Sequence, residues 1–215
     1  MRLKNQSAND GVEKITPSHK FLRELIRLKM AAAYYFKPRS SHQSVFILCN
    51  VRSGSNLLLS YLNSVPNVFL AGEILNPEQI LGLRAGIDSQ STIFRHLRHV
   101  MNYRQRTITG AKLPLMHLET RGLSYNDMVN EFPSARWIIL YREDVMAQYI
   151  SLQIANKTGS FKRLLPMVKH RGEQVSIEFN PQNALLFRDS IVKNFETLRE
   201  CSQVNAGNLL WISYE

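Results

Sequence analysis

A short basic turn between two apolar segments is the part of this 215-residue sequence best suited to chemistry. The turn contains Arg52 and Gly54, and a segment with helical spacing follows it. A helix that begins near Ser55 would leave the amides of residues 53–57 without intrahelical acceptors. These amides, the helix dipole and the Arg52 guanidinium would together bind an anion, and Gly54 would let the backbone approach it closely.

The turn does not match the phosphate loop of nucleoside triphosphatases. That loop has the pattern G-x-x-x-x-G-K-[ST], and this sequence lacks both the first glycine and the lysine. The hydroxyl residue that follows the lysine and binds Mg²⁺ is missing as well. The sequence therefore favours an anion that is bound without a metal. An ordinary strand-turn-helix connection with a surface arginine has the same local pattern and is the alternative.

A second basic turn follows ninety residues later. Arg142 comes directly after the apolar run 137–141 and precedes another helical segment. Ligands of open parallel sheets collect at the carboxyl ends of the strands, so Arg52 and Arg142 are predicted to face one crevice. Ser151 lies about two and a half helical turns beyond Arg142, from where its hydroxyl could reach the same anion.

Apolar runs separated by helical segments predict an α/β fold with a central, mostly parallel sheet covered on both faces. The predicted strands are residues 44–50, 107–113, 136–141 and 208–214. The predicted helices are residues 19–36, 56–63, 92–102, 125–131, 144–155 and 184–201. Right-handed crossovers would place both basic turns at one edge of this sheet.

Five segments together match the motif order of one known family. They are Arg52-Ser-Gly-Ser-Asn-Leu-Leu58, Ala71-Gly-Glu73, Gly110-Ala-Lys-Leu113, Arg142 with Ser151, and Leu210-Trp-Ile-Ser-Tyr-Glu215. In this order they resemble the sulfotransferases that use 3′-phosphoadenosine 5′-phosphosulfate (PAPS), and the pattern is closest to bacterial enzymes that act on carbohydrates or glycolipids, such as lipopolysaccharide. The resemblance implies a P-loop-like, three-layer α/β/α fold. It also implies that Arg142 and Ser151 hold the 3′-phosphate, and that the 5′-phosphosulfate is bound by Arg52, Ser53, Gly54, Ser55, Asn56 and Leu57.

The activity implied by the resemblance is transfer of the sulfuryl group from PAPS to a hydroxyl of a carbohydrate or glycolipid, without a metal. Arg52 and the loop amides would stabilise the charge that builds on the leaving oxygen. Glu73 matches a glutamate that takes the proton of the hydroxyl, although it could also be a surface residue of a loop. His117 is the rival base, because other branches of the family use a histidine shortly after a strand lysine, and a structural role for it is the alternative. Lys112 either lines the crevice or caps its strand.

The resemblance divides the chain into an N-terminal helix and linker, residues 1–43, and a sulfotransferase-like domain, residues 44–215. Resembling proteins continue past the Tyr-Glu strand into a helix and a basic loop that closes over the 3′-phosphate. We therefore expect a domain truncated at its C-terminus, and the alternative is a protein that lacks part of the cofactor site. The N-terminal helix mixes basic and apolar residues, and can either pack on the domain or lie on a membrane surface. The sequence shows neither a signal peptide nor a run of about 20 apolar residues, so we expect a cytoplasmic protein.

Charge leaves two other classes of function open. Lysine and arginine number 27 against 17 acidic residues, and the net charge of +10 favours anionic partners. A P-loop kinase-like enzyme would share the architecture, but it should carry the loop lysine that is missing here. A basic nucleic-acid-binding domain should interleave basic residues with exposed aromatic ones, whereas Phe46, Phe69 and Trp137 lie in apolar runs. Nucleic acid is therefore not the expected partner.

Overall fold

The computed structural model of this protein describes residues 17–36, 42–104, 106–159, 161, 175–202 and 207–215. Within these ranges the strands are β1 (Gln43–Cys49), β2 (Val68–Glu73), β3 (Ile108–Pro114), β4 (Arg136–Tyr141) and β5 (Leu209–Ser213). The helices are α1 (Pro17–Phe36), α2 (Ser55–Ser64), α3 (Gln90–Tyr103), α4 (Leu115–Thr120), α5 (Tyr125–Glu131), α6 (Val145–Thr158) and α7 (Pro181–Ser202).

The strands form one sheet in the order β2-β3-β1-β4-β5, and every neighbouring pair is parallel. Because β1 and β4 are neighbours, the turns that follow them leave the sheet at the same edge. On the other side of β1 lies β3, which pairs with the edge strand β2 and places Lys112 opposite Glu73. The strands β2, β3, β1 and β4 therefore end next to one another at the carboxyl edge of the sheet.

Both faces of the sheet are covered, which confirms the predicted three-layer α/β/α architecture. Successive residues of β1 point to opposite faces, as the period of a strand requires. Phe46 and Leu48 belong to a large apolar cluster that includes residues of α3 and α5. Ile47 and Cys49 belong to a second cluster, packed against α2. A continuous apolar run is typical of such a doubly covered parallel strand.

Helix α1 packs against α3, one of the two arrangements expected for it. Met30 is buried in the large cluster, and the Arg27 side chain donates a hydrogen bond to the carbonyl of Gly82 at 2.7 Å. Most of the predicted linker, residues 37–41, lies outside the described residues.

The sequence does not predict β2 or α4. β2 is a six-residue edge strand that follows Asn67, a residue with φ of +64°. Its second half is Ala-Gly-Glu, a sequence with low strand propensity that pairing with β3 stabilises. Glu73, for which a surface position in a loop was the alternative to a catalytic role, is therefore the last residue of a strand.

Candidate active site

The turn after β1 has the shape of an anion site. Arg52 and Gly54 take φ values of +61° and +79°, and the buried Ser53 hydroxyl donates to the carbonyl of Asn50 at 2.9 Å. Within the described part of the chain, no acceptor engages the backbone N–H groups of residues 53–56. These amides are therefore available to a ligand at the N-terminus of α2.

The amide of Leu57 is not among the available ones, contrary to the expectation from the sequence. It donates to the carbonyl of Gly54 at 2.9 Å, and the amide of Leu58 donates to the same oxygen at 3.2 Å. The first turn of α2 closes on Gly54, so the helix itself uses the Leu57 N–H.

Helix α6 holds Arg52 from the side. The guanidinium Nε donates to the Ser151 hydroxyl at 3.0 Å, and Nη1 donates to the carbonyl of Phe161 at 2.8 Å. The buried Gln148, also on α6, donates its side-chain amide to the carbonyl of Val51. The turn after β1 is thereby fixed to the helix that follows β4.

Arg142, predicted to hold a phosphate together with Ser151, contacts residues that follow β5. Its Nε donates to the Glu215 carboxylate at 3.1 Å, and its Cζ lies 5.2 Å from the centroid of the Tyr214 ring. Ser151 lies roughly 9 Å along the helix axis from the start of α6, which brings its hydroxyl to Arg52 instead.

The Glu215 carboxylate lies where Arg142 and the start of α6 would receive an anion. Besides the Arg142 bond, it accepts from the Glu143 amide at 2.9 Å and from the Ser213 hydroxyl at 2.9 Å. The hydrogen bond from the Glu143 amide is the main cause that lowers the pKa of Glu215 to about 2. The same donors would suit a phosphate oxygen.

Tyr214 connects the two basic turns. A Cβ atom added to Gly54 would lie 2.0 Å from Cδ2 of Tyr214, so this ring rests directly on the glycine backbone. The Arg142 guanidinium lies against the same ring. Arg52 and Arg142, predicted to face one crevice, thus belong to turns that meet at one aromatic side chain.

Gly54→Ala is expected to destabilise the protein more than Gly122→Ala. Both glycines have positive φ, +79° and +63°, which strains an alanine by about 1–2 kcal/mol. At Gly122 nothing lies within 4 Å of the added Cβ, whereas at Gly54 the Tyr214 ring must move, which adds about 1–3 kcal/mol. Urea denaturation measures both losses, and equal losses would show that the ring does not pack on Gly54.

A buried ion pair joins the ends of β2 and β3 to the first turn of α2. Lys112 is only 2% exposed, and its Nζ lies 2.8 Å from Glu73 Oε1. The same ammonium donates to Asn56 Oδ1 at 2.7 Å, while Glu73 Oε2 accepts from the side-chain amide of Asn76 at 3.1 Å. The lysine therefore links the candidate base to the helix that begins at the anion turn.

Glu73 is ionised in this arrangement. Burial alone would raise its pKa, but the hydrogen bond and charge of Lys112, helped by Asn76, lower it below the ordinary 4.5. The carboxylate side chain remains 24% exposed, and its remaining lone pairs can accept from a hydroxyl.

The rival base His117, on α4, lies near enough to Glu73 for their charges to interact. Burial is the main cause that lowers the pKa of His117, and the Glu73 charge opposes this effect. Its Nδ1 is buried, and has no hydrogen-bond partner in the described part of the chain. The structure thus brings both candidate bases to the same side of the site.

Lys112 and Tyr214 are the parts of the site that the sequence did not assign. Lys112 interrupts an apolar strand near its carboxyl end, a signal that could have marked it, since a buried lysine needs a partner. For Tyr214, the position directly after the last strand was the sequence signal that could have marked it as a site residue.

Comparisons with known proteins assign no family to this chain. No protein-family model matches the sequence. A search of curated proteins likewise finds no match.

The described residues contain no cluster of three or more His, Cys, Asp or Glu side chains able to hold a metal ion. Nor does any helix in those ranges combine the length and apolar character needed to cross a bilayer.

Proposed function

We propose that this protein is a sulfotransferase that transfers the sulfuryl group of PAPS to a hydroxyl of a carbohydrate or glycolipid. The observation that carries the proposal is the meeting of two basic turns at Tyr214, one of them linked to a buried Lys112–Glu73 pair. This edge of the sheet offers two anion positions and a carboxylate. PAPS has a phosphosulfate on one side of its ribose and a phosphate on the other, and so matches two such positions.

The two turns divide the ligand between them. The amides of residues 53–56 and the Arg52 guanidinium bind the 5′-phosphosulfate, and Ser151 orients Arg52 through their hydrogen bond. Arg142 and the Glu143 amide bind the 3′-phosphate, in the position that the Glu215 carboxylate takes in this structure. A direct contact of Ser151 with the 3′-phosphate remains a prediction of the resemblance.

Glu73 accepts the proton of the acceptor hydroxyl as its oxygen forms a bond to sulfur. The bond between sulfur and the bridging oxygen of the 5′-phosphate breaks, and its electron pair stays on that oxygen. Arg52 and the loop amides stabilise the developing charge more in the transition state than in the ground state. Lys112 keeps Glu73 ionised and in place. The products are a sulfate ester and adenosine 3′,5′-bisphosphate.

Arg52→Ala and Arg142→Ala are each expected to weaken binding of adenosine 3′,5′-bisphosphate by about 10–100-fold, the usual loss for a hydrogen bond to a charged group. Isothermal titration calorimetry measures the affinities. Arg136→Ala is the matched control, because Arg136 is exposed at the amino end of β4, away from the site. Unchanged affinity in both variants of the site would refute the assignment of the anion positions.

The same titration separates the proposal from the two other classes of function. ATP with magnesium should bind more weakly than the bisphosphate, and the reverse order would favour a kinase-like enzyme. Random-sequence DNA should not compete for the site. Binding to DNA that weakens steeply with salt, without binding of the bisphosphate, would favour a nucleic-acid-binding domain.

The proposed location of the reaction is the cytoplasm. Cys49 is a free, buried thiol on β1, and burial raises its pKa to about 11. Such a thiol is compatible with a reducing compartment.

A further inference from the structure

Asn76 engages the oxygen of the candidate base that Lys112 leaves open. Lys112 Nζ lies 2.8 Å from Glu73 Oε1, and the Asn76 side-chain amide donates to Oε2 at 3.1 Å. A carboxylate accepts on both oxygens, so one donor at each oxygen fixes the plane of the group and leaves lone pairs for a hydroxyl. Asn76 therefore affects the orientation of Glu73 as well as its charge.

The direction of the Asn76 side chain is fixed by a second hydrogen bond. Its Oδ1 accepts from the backbone N–H of Glu78 at 3.0 Å. A backbone N–H can only donate, so the oxygen of the amide must face Glu78 and the nitrogen must face Glu73. The amide consequently presents a donor, and not an acceptor, to the carboxylate.

The backbone of Asn76 is held as well. Its N–H donates to the carbonyl of Glu73 at 3.0 Å, and its carbonyl accepts from the Gln79 N–H at 3.2 Å. The two residues between Glu73 and Asn76 are Ile74 and Leu75, each 1% exposed and part of the large apolar cluster. The turn that carries Asn76 is thereby anchored in the core.

Side chains of three helices hold the segment that follows this turn. Each of them donates to a backbone carbonyl: Arg27 of α1 to Gly82 at 2.7 Å, His96 of α3 to Leu81 at 2.9 Å, and Arg121, which follows α4, to Ile87 at 3.0 Å. The backbone that presents the Asn76 amide to Glu73 is therefore fixed at several points beyond the turn itself.

We propose that Asn76 is a positioning residue for sulfuryl transfer, which fixes the orientation in which the Glu73 carboxylate takes the proton of the acceptor hydroxyl. This inference rests on the proposed function, in which Glu73 is the base. Asn76 acts through Glu73 and supplies no group that reacts. Lys112 keeps the carboxylate ionised, and Asn76 keeps it in one orientation.

Asn76→Ala tests the proposal through the rate of transfer from saturating PAPS to a mixture of oligosaccharides and glycolipids. The rate should fall by about 10–100-fold, the usual cost of a misplaced catalytic group, with unchanged affinity for adenosine 3′,5′-bisphosphate. Asn63→Ala is the matched control, since the Asn63 side chain bonds only to the backbone of Leu70 on the same strand, and it should keep the wild-type rate. A wild-type rate in Asn76→Ala overturns the proposal.

The double variant Glu73→Gln with Asn76→Ala shows whether Asn76 acts through the base. It should transfer no more slowly than Glu73→Gln alone, because effects of residues that act as a unit do not add. A further loss of about tenfold or more in the double variant would contradict a role through Glu73.

NMR titration of the Glu73 carboxyl carbon tests the contact without turnover. Asn76→Asp keeps an acceptor for the Glu78 N–H, but it places a second carboxylate beside Oε2, and this like charge should raise the pKa of Glu73 above its wild-type value. The other titratable groups around Glu73 are those of Lys112, His117 and Cys49, and the substitution leaves them in place.

The acidic limit of the transfer rate should move to higher pH in Asn76→Asp together with the pKa of Glu73. An unchanged pKa would show that the side chain at this position does not hold Glu73, and would overturn the proposal. A responding pKa in a protein whose wild type transfers no sulfuryl group would instead contradict the proposed function, and with it the role of Asn76 in transfer.

Discussion

Glu73→Gln is expected to bind adenosine 3′,5′-bisphosphate with wild-type affinity and to lose about a hundred- to ten-thousand-fold in sulfuryl transfer, the usual contribution of a general base. The amide oxygen of glutamine still accepts from Lys112, so the shape of the site is kept, but the group can no longer take a proton. Transfer of a labelled sulfuryl group from PAPS to a mixture of oligosaccharides and glycolipids measures the loss. Calorimetry measures the affinity.

His117→Gln is the comparison that decides between the two bases. It should retain most of the activity, and the opposite outcome would move the proton acceptor to α4.

The pH dependence of the transfer rate distinguishes Glu73 from His117 as the base in the wild type as well. Lys112 holds the pKa of Glu73 below 4.5, so the proposed reaction should keep its rate down to that pH or lower. Burial lowers the pKa of His117 from the ordinary 6.5, so a loss of rate between pH 6.5 and pH 4.5 would identify the histidine as the base.

The elements that carry the basic turns could be predicted because their signals are local. β1 and β4 are continuous apolar runs, and each is followed by an arginine and a helix, which suffices to place both turns at one edge of a parallel sheet. β2 could not be predicted because its Ala-Gly-Glu end has little strand propensity of its own. Its existence depends on β3, forty residues further along the chain.

The contacts within the site could not be predicted, because they join residues far apart in sequence. The pattern placed Ser151 with Arg142, yet the direction of α6 brings the serine to Arg52. Nothing local to Lys112 indicates that its partners are Asn56 and Glu73. The sequence indicates which residue types collect at this edge, and only the packing of α2, α4 and α6 decides which of them meet.

An apolar residue in place of Glu73 should destabilise the protein strongly, because it leaves the Lys112 ammonium buried without both its charge partner and that hydrogen-bond acceptor. Glu73→Leu is expected to lower the free energy of unfolding at neutral pH by about 3–5 kcal/mol. The double variant Glu73→Leu with Lys112→Met should recover most of that loss, since an apolar pair of similar volume can replace a buried ion pair. Urea denaturation of the wild type and of both variants measures these differences in the free energy of unfolding. A double variant as unstable as Glu73→Leu would show that the loss comes from packing and not from the unpaired charge.

The pH dependence of stability gives a second measure of the same pair. The pKa of Glu73 is lower in the folded protein than the ordinary 4.5, so the carboxylate stabilises the fold above about pH 4.5. This contribution is lost as the pH falls through the folded-state pKa, where the carboxylate takes up a proton and the ion pair ends. The wild type should therefore lose more stability than the double variant between neutral pH and that range. Parallel losses in the two proteins would mean that other carboxylates, and not Glu73, account for the acid sensitivity.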